Sequence, residues 1–168
     1  MTEDTPFLSR LDRTLTDTPP AVLLILKGHL VIEEALNAAV ARKLPHPEHL
    51  KKARLSFYQL VHVAKTMFDL TAPNTILDRE VAEVWDAMLA LNKIRNELAH
   101  QVSPEDLDLS KELRRLFSVV GPVDPKPLND PSMLAPINQS IGFLLGFCSH
   151  LREGSSGHRT SSVPLPVA

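Results

Sequence analysis

Apolar residues return every three or four positions along most of this chain, and prolines and glycines cut the rhythm into segments. The breakers are Pro19-Pro20, Pro45 with Pro47, Pro73-Asn74, Pro104, the stretch from Gly121 through Pro131, and Gly154 onward. Between them the spacing predicts helices near residues 5–16, 20–43, 48–69, 77–102, 105–119 and 131–152, and no segment alternates as a strand would. The expected fold is all-α, a single-domain helical bundle of about five to six helices over residues 1–153. Residues 154–168, rich in Ser, Gly and Pro, are expected to form a disordered C-terminal tail. No internal repeat is evident. Capping chemistry supports several ends: Thr18 as an N-cap before the Pro-Pro start, Pro47-Glu48 opening the third segment, and Ser103-Pro104-Glu105-Asp106 before the fifth.

At about 100° per residue, Leu91, Ile94 and Leu98 share one stripe of segment 77–102, the expected core face. Trp85, Leu89, Asn92, Asn96, Ala99 and His100 gather roughly opposite, while Glu83, Lys93 and Glu97 point to a third, charged side. A face of this mixed kind needs a cover, either another helix of the fold or a second subunit. Trp85, Leu89, Asn92 and Ala99 are the candidate interface residues, although a tryptophan is more often core than a platform for stacking bases. In segment 20–43, Val22, Leu26, Leu30, Leu36 and Val40 make an apolar stripe that also holds His29, Glu33 and Asn37. A carboxylate on a packed face is costly unless paired, and Arg95 on the core edge of segment 77–102 is the expected partner of Glu33. His29 and His62, both among apolar neighbours, are expected to be core or interface histidines.

The chain has 168 residues, enough for one domain with a real core, and its 43% apolar and 23% charged residues place it with chains that fold. A formal net charge of -2 gives no global positive field, so contact with a phosphate backbone would have to come from local patches. Lys51, Lys52 and Arg54 form one small patch and Arg114-Arg115 another; both are more often solvated faces. The single cysteine, Cys148, lies in the apolar run 141–148 and is expected to be a small buried hydrophobe in a reducing, cytoplasmic setting. Residues 1–12 lack the basic-then-apolar order of a secretory signal, and the longest apolar run, 21–26, is far short of the roughly twenty residues that span a bilayer. Neither export nor a membrane span is expected.

Arg95-Asn96-Glu97-Leu98-Ala99-His100 resembles the Arg-Asn-x-x-x-His signature of the HEPN domain superfamily. Its setting is similar to the mannitol operon repressor-like branch: Glu33-Glu34-Ala35-Leu36 in an acidic helix, then Leu55-Ser56-Phe57 opening a hydrophobic helix, then a Trp85-containing helix that ends in the motif. The resemblance covers residues 20 to 103. It implies a helical bundle that works as a homodimer and, in many members, a metal-independent endoribonuclease, often a toxin beside a cognate antitoxin. Other members are non-catalytic regulators that act through protein contacts.

If the family's activity carries over, His100 would move the proton of a ribose 2′-hydroxyl or of the leaving 5′-oxygen, because an imidazole can do either near neutral pH. Arg95 would stabilise charge on the phosphorane oxygens, Asn96 would orient the imidazole or bind a phosphate oxygen, and Glu33 would hold the guanidinium. One histidine cannot be acid and base at once, so a two-fold dimer would supply the second. No cofactor or metal is implied: His46 and His49, beside Glu48, lie in a Pro-punctuated loop without a third convincing ligand nearby. Without the resemblance, Arg95 and His100 read as basic residues favoured near a helix C-terminus. Neither a nucleophile elbow nor a phosphate loop is present, and no helix-turn-helix with a basic recognition helix supports DNA binding.

Overall fold

The computed structural model describes residues 18–68, 80–100 and 107–153. Within them the chain forms α1 Pro20–Lys43, α2 Glu48–Ala53, α3 Phe57–Met67, α4 Val81–His100, α5 Ser110–Phe117, a 3-10 turn Pro131–Met133 and α6 Leu134–Glu153. The architecture is an all-α helical bundle with no strand among the described residues. The expected helix at 5–16, the breaker Pro73-Asn74, the cap at Ser103-Pro104 and the tail 154–168 lie outside the described residues.

Three expected boundaries change, one of them the start of α5, which lies at Ser110 and not near 105. The N-cap of α1 is Pro19, one residue beyond the expected Thr18; its carbonyl accepts from the amides of Val22 at 2.9 Å and Leu23 at 3.3 Å. Pro20 then sits in the first turn, where a missing N–H costs nothing. The single helix expected over 48–69 is two helices. Arg54 takes a left-handed conformation, φ 48 and ψ 47, which ends α2. Ser56 then opens α3 through a reciprocal capping box: its Oγ accepts from the Gln59 amide at 3.3 Å, and its own amide donates to Gln59 Oε1 at 2.9 Å.

The core is built where the helices cross. Ile25, Ile32 and Leu36 of α1 are fully buried, as are Leu60 and Val61 of α3, Met88, Leu91 and Ile94 of α4, Leu116 of α5, and Leu144 and Phe147 of α6. α1 packs most closely along α6 and also meets α3 and α4, while α5 lies against α4. At the α1–α6 crossing a Cβ on Gly28 would run into the side chain of Ile141, so glycine there sets how near the two axes come. That approach turns the buried face of α1 towards Ala21, Ile25 and Ile32. Leu26 is consequently only half-buried and Leu30 is exposed, which corrects their place in the expected apolar stripe. Cys148 is buried as expected, and burial pushes its thiol up to about 12. No helix among the described residues is long and apolar enough to cross a membrane.

Candidate functional site

On α4 the buried line runs through Val84, Ala87, Leu91, Ile94 and Leu98, which contains the core stripe read from the periodicity. In the first half of the helix the second face is covered too. Trp85 is buried, and its ring meets Phe147 of α6 edge-on, centroids 5.0 Å apart and planes at 86°. The cover expected over Trp85 is therefore a helix of the same chain. Further along, the face opens: Leu89 and Asn92 are half-buried, and Asn96, Ala99 and His100 are exposed.

Arg95 is half-buried, and its Nη1 donates to Asn96 Oδ1 at 3.0 Å. The bond turns the guanidinium from the core edge towards the flank that carries Asn96, with His100 one turn beyond it. The expected Glu33–Arg95 ion pair is absent. Glu33 instead lies with its Oε2 3.9 Å from His29 Nδ1, one turn earlier on α1, and its backbone carbonyl accepts from Asn37 Nδ2 at 3.1 Å. Asn96, its neighbour along α4, accepts from one of the guanidinium's N–H groups, and no bond from Arg95 reaches α1.

His29 sits behind this flank and is almost fully buried. Its Nε2 lies 3.2 Å from Asn92 Oδ1, and its ring tilts against Phe57 with centroids 4.5 Å apart. The amide oxygen accepts, so the neutral ring carries its proton on Nε2 and leaves the buried Nδ1 without a hydrogen-bond partner among the described residues. Burial holds the imidazole below its ordinary pKa; the Asn92 bond and Glu33 oppose that shift, and the charge of Arg95 reinforces it. A polar residue inside the α1 pattern signalled that His29 needed a partner; nothing in the spacing pointed to Asn92, 63 positions away.

A second polar contact was also missed. Lys93 Nζ donates to Glu112 Oε1 at 2.6 Å, joining α4 to α5, and the bond to Lys93 holds the nearly buried carboxyl below its usual range. The available signal was an acid among Leu109, Leu113 and Leu116, an apolar stripe where a lone charge is costly. Lys93→Ala should lower the unfolding free energy by about 1–3 kcal/mol, because it leaves that carboxylate without its partner. Urea denaturation checks this. A cost equally large in a Glu112→Ala background would show that the pair is not its source.

The remaining candidates lie apart. His46 Nδ1 and His49 Nε2 are 3.3 and 3.8 Å from the same Glu48 oxygen, but all three side chains are well exposed. No group of three or more His, Cys, Asp and Glu among the described residues has an arrangement that could hold a metal ion. His62 is exposed, its ring tilted against Tyr58 with centroids 4.4 Å apart, so of the two expected places, core or interface, the core is excluded. Lys51, Lys52, Arg54, Arg114 and Arg115 are exposed. An open pocket of about 430 Å³ is lined by Arg114 of that patch with Ser118 and Asp124, and by none of Arg95, Asn96 and His100. Comparison of the chain with protein-family models, with curated proteins and with solved structures finds no match.

Proposed function

We propose that this chain is a HEPN-type endoribonuclease that cleaves RNA without a metal ion and works as a homodimer, with Arg95, Asn96 and His100 at its reaction centre. The observation that supports this reading is the exposed flank of α4, where an arginine is held against Asn96 at 3.0 Å and His100 is exposed one turn beyond. In the reaction His100 of one protomer takes the proton of the ribose 2′-hydroxyl as that oxygen attacks phosphorus. The 5′-oxygen leaves with its bonding pair and takes a proton from the partner's His100, giving a 2′,3′-cyclic phosphate and a 5′-hydroxyl. Arg95 carries the charge that grows on the non-bridging oxygens. Glu33 does not hold Arg95 directly, and its side chain lies beside His29 instead.

The test is cleavage of total RNA by purified protein with chelator present, comparing wild type with Arg95→Ala and His100→Ala. Both changes fall at half-buried or exposed positions, so circular dichroism should show unchanged folding. The expected result is cleavage by wild type and a loss of about 100-fold or more in each variant. A folded wild type that leaves RNA intact would overturn this reading. The non-catalytic regulator would then be favoured, with Leu89, Asn92 and Ala99 as a protein-binding face.

A further inference from the structure

The charge of this chain is unevenly spread. Residues 42–68, which run from the end of α1 through α2 and α3, hold six of its 18 Lys and Arg but one of its 20 Asp and Glu. The six cations, Arg42, Lys43, Lys51, Lys52, Arg54 and Lys65, are all exposed, and none forms an ion pair among the described residues. Glu48, the one acid, lies against His46 and His49. A chain of net charge -2 therefore carries a local surface of unbalanced positive charge.

The same surface holds an open aromatic ring. Tyr58 is 55% exposed, although it follows the buried Phe57 directly. Tyr58, His62 and Lys65 are spaced by four and then three residues, so they form one stripe of α3. The rings of Tyr58 and His62 meet at 59° and not face to face, which leaves the tyrosine room for a planar partner. Arg54 stands four residues before Tyr58, at the left-handed turn that ends α2. At the far end of α3, Lys43 Nζ lies 5.5 Å from the centroid of the Phe68 ring, so the cations that close α1 flank the stripe there.

We infer that this surface holds a single strand of RNA, with a base stacked on Tyr58 beside His62 and the phosphates neutralised by Lys65, Arg54 and the cations of α2 and the end of α1. Every base has a flat face, so such a platform accepts any sequence. A duplex keeps those faces inside its stack, so the tyrosine selects unpaired strands. An acidic protein segment would use the cations but leave the ring idle. The inference rests on the proposed function and deepens it, since it names where the substrate is held beside the scissile bond. The Tyr58 end of α3 is two side-chain contacts from the flank of α4: Phe57 touches His29, and His29 meets Asn92 one turn before Asn96.

The experiment is binding of a labelled oligouridylate of roughly a dozen nucleotides, followed by fluorescence anisotropy with chelator present. The full chain carries His100→Ala throughout, so that binding is read apart from cleavage. In that chain Tyr58→Ala should weaken binding about tenfold, while Tyr58→Phe, which keeps the ring, should stay within about twofold. Lys51→Glu and Lys65→Glu should each weaken binding and flatten its dependence on salt. All four changes fall at exposed positions, so the helical signal should not move. Pairing the strand with oligoadenylate should weaken binding, and polyglutamate should displace it poorly. Absence of binding, a Tyr58→Ala chain that binds as well as its parent, or equal binding of the duplex would overturn the inference. So would displacement by polyglutamate as effective as by unlabelled RNA, which would mark a surface for acidic proteins. A strand held through Tyr58 by a chain whose wild type leaves RNA intact upholds the platform while it overturns the proposed reaction.

Discussion

Replacing Trp85 with alanine should lower the unfolding free energy by about 3–5 kcal/mol, the cost of removing a large aromatic side chain from a packed site. The ring is 4% exposed and braces α4 against α6 through its edge-on contact with Phe147. Its removal deletes burial and leaves a cavity between two helices that cannot fully close. Chemical denaturation followed by circular dichroism measures the loss, because the variant has no tryptophan to report by fluorescence. A cost below about 1 kcal/mol, the range of exposed substitutions, would mean that Trp85 lies on an open face and is available to a partner.

The second large effect concerns His29. Truncation to alanine should cost about 2–4 kcal/mol, since it leaves space beside Phe57 and removes the ring opposite Asn92. The intact histidine also makes stability depend on pH. Its folded pKa is lowered from 6.5, chiefly by burial, so as pH falls below that value the unfolded chain takes up a proton that the folded chain resists. Stability is fully present above pH 6.5 and declines below it, until the pH reaches the folded pKa. One proton gives a slope of at most about 1.4 kcal/mol per pH unit. Among the charged groups near the ring, Glu33 softens the effect and Arg95 sharpens it.

Glu112 acts in a separate window. Its folded pKa lies below 4.5, so its contribution holds above that value and is lost as pH falls further. Between pH 7.5 and 5 the His29 term should therefore be separable. His29→Gln, which keeps a hydrogen-bonding group near Asn92 but does not titrate, should flatten the pH dependence of the denaturation midpoint relative to wild type. Equal slopes in the two proteins would show that the imidazole takes up its proton as readily folded as unfolded.

The features legible in the sequence are the local ones. Pro19-Pro20 and the period-3.6 apolar residues suffice for α1, and Leu91, Ile94 and Leu98 declare the core face of α4, because a helix repeats its geometry every turn whatever surrounds it. The break between α2 and α3 was local as well, written as a serine followed three residues later by a glutamine, but the apolar rhythm continued across it and hid it. The motif Arg95-Asn96 through His100 was legible as a string of residues, and so was its place on a helix.

Partnerships between helices are another matter, since a helical wheel fixes the direction of a side chain and leaves open what stands in that direction. Trp85 meets Phe147 because α6 crosses α4 there, and Leu30 lies in solvent because Gly28 lets α6 approach a different side of α1. Arg95 turns to its neighbour Asn96 while Glu33 is left beside His29, although both charges were expected to meet. Local sequence thus determines which residues become helical and which edge of each helix is apolar. The crossing of α1 with α6 and α4 decides which polar groups are satisfied, and tertiary packing leaves Leu23, Leu30 and Val31 of α1 and Asn96, Ala99 and His100 of α4 exposed.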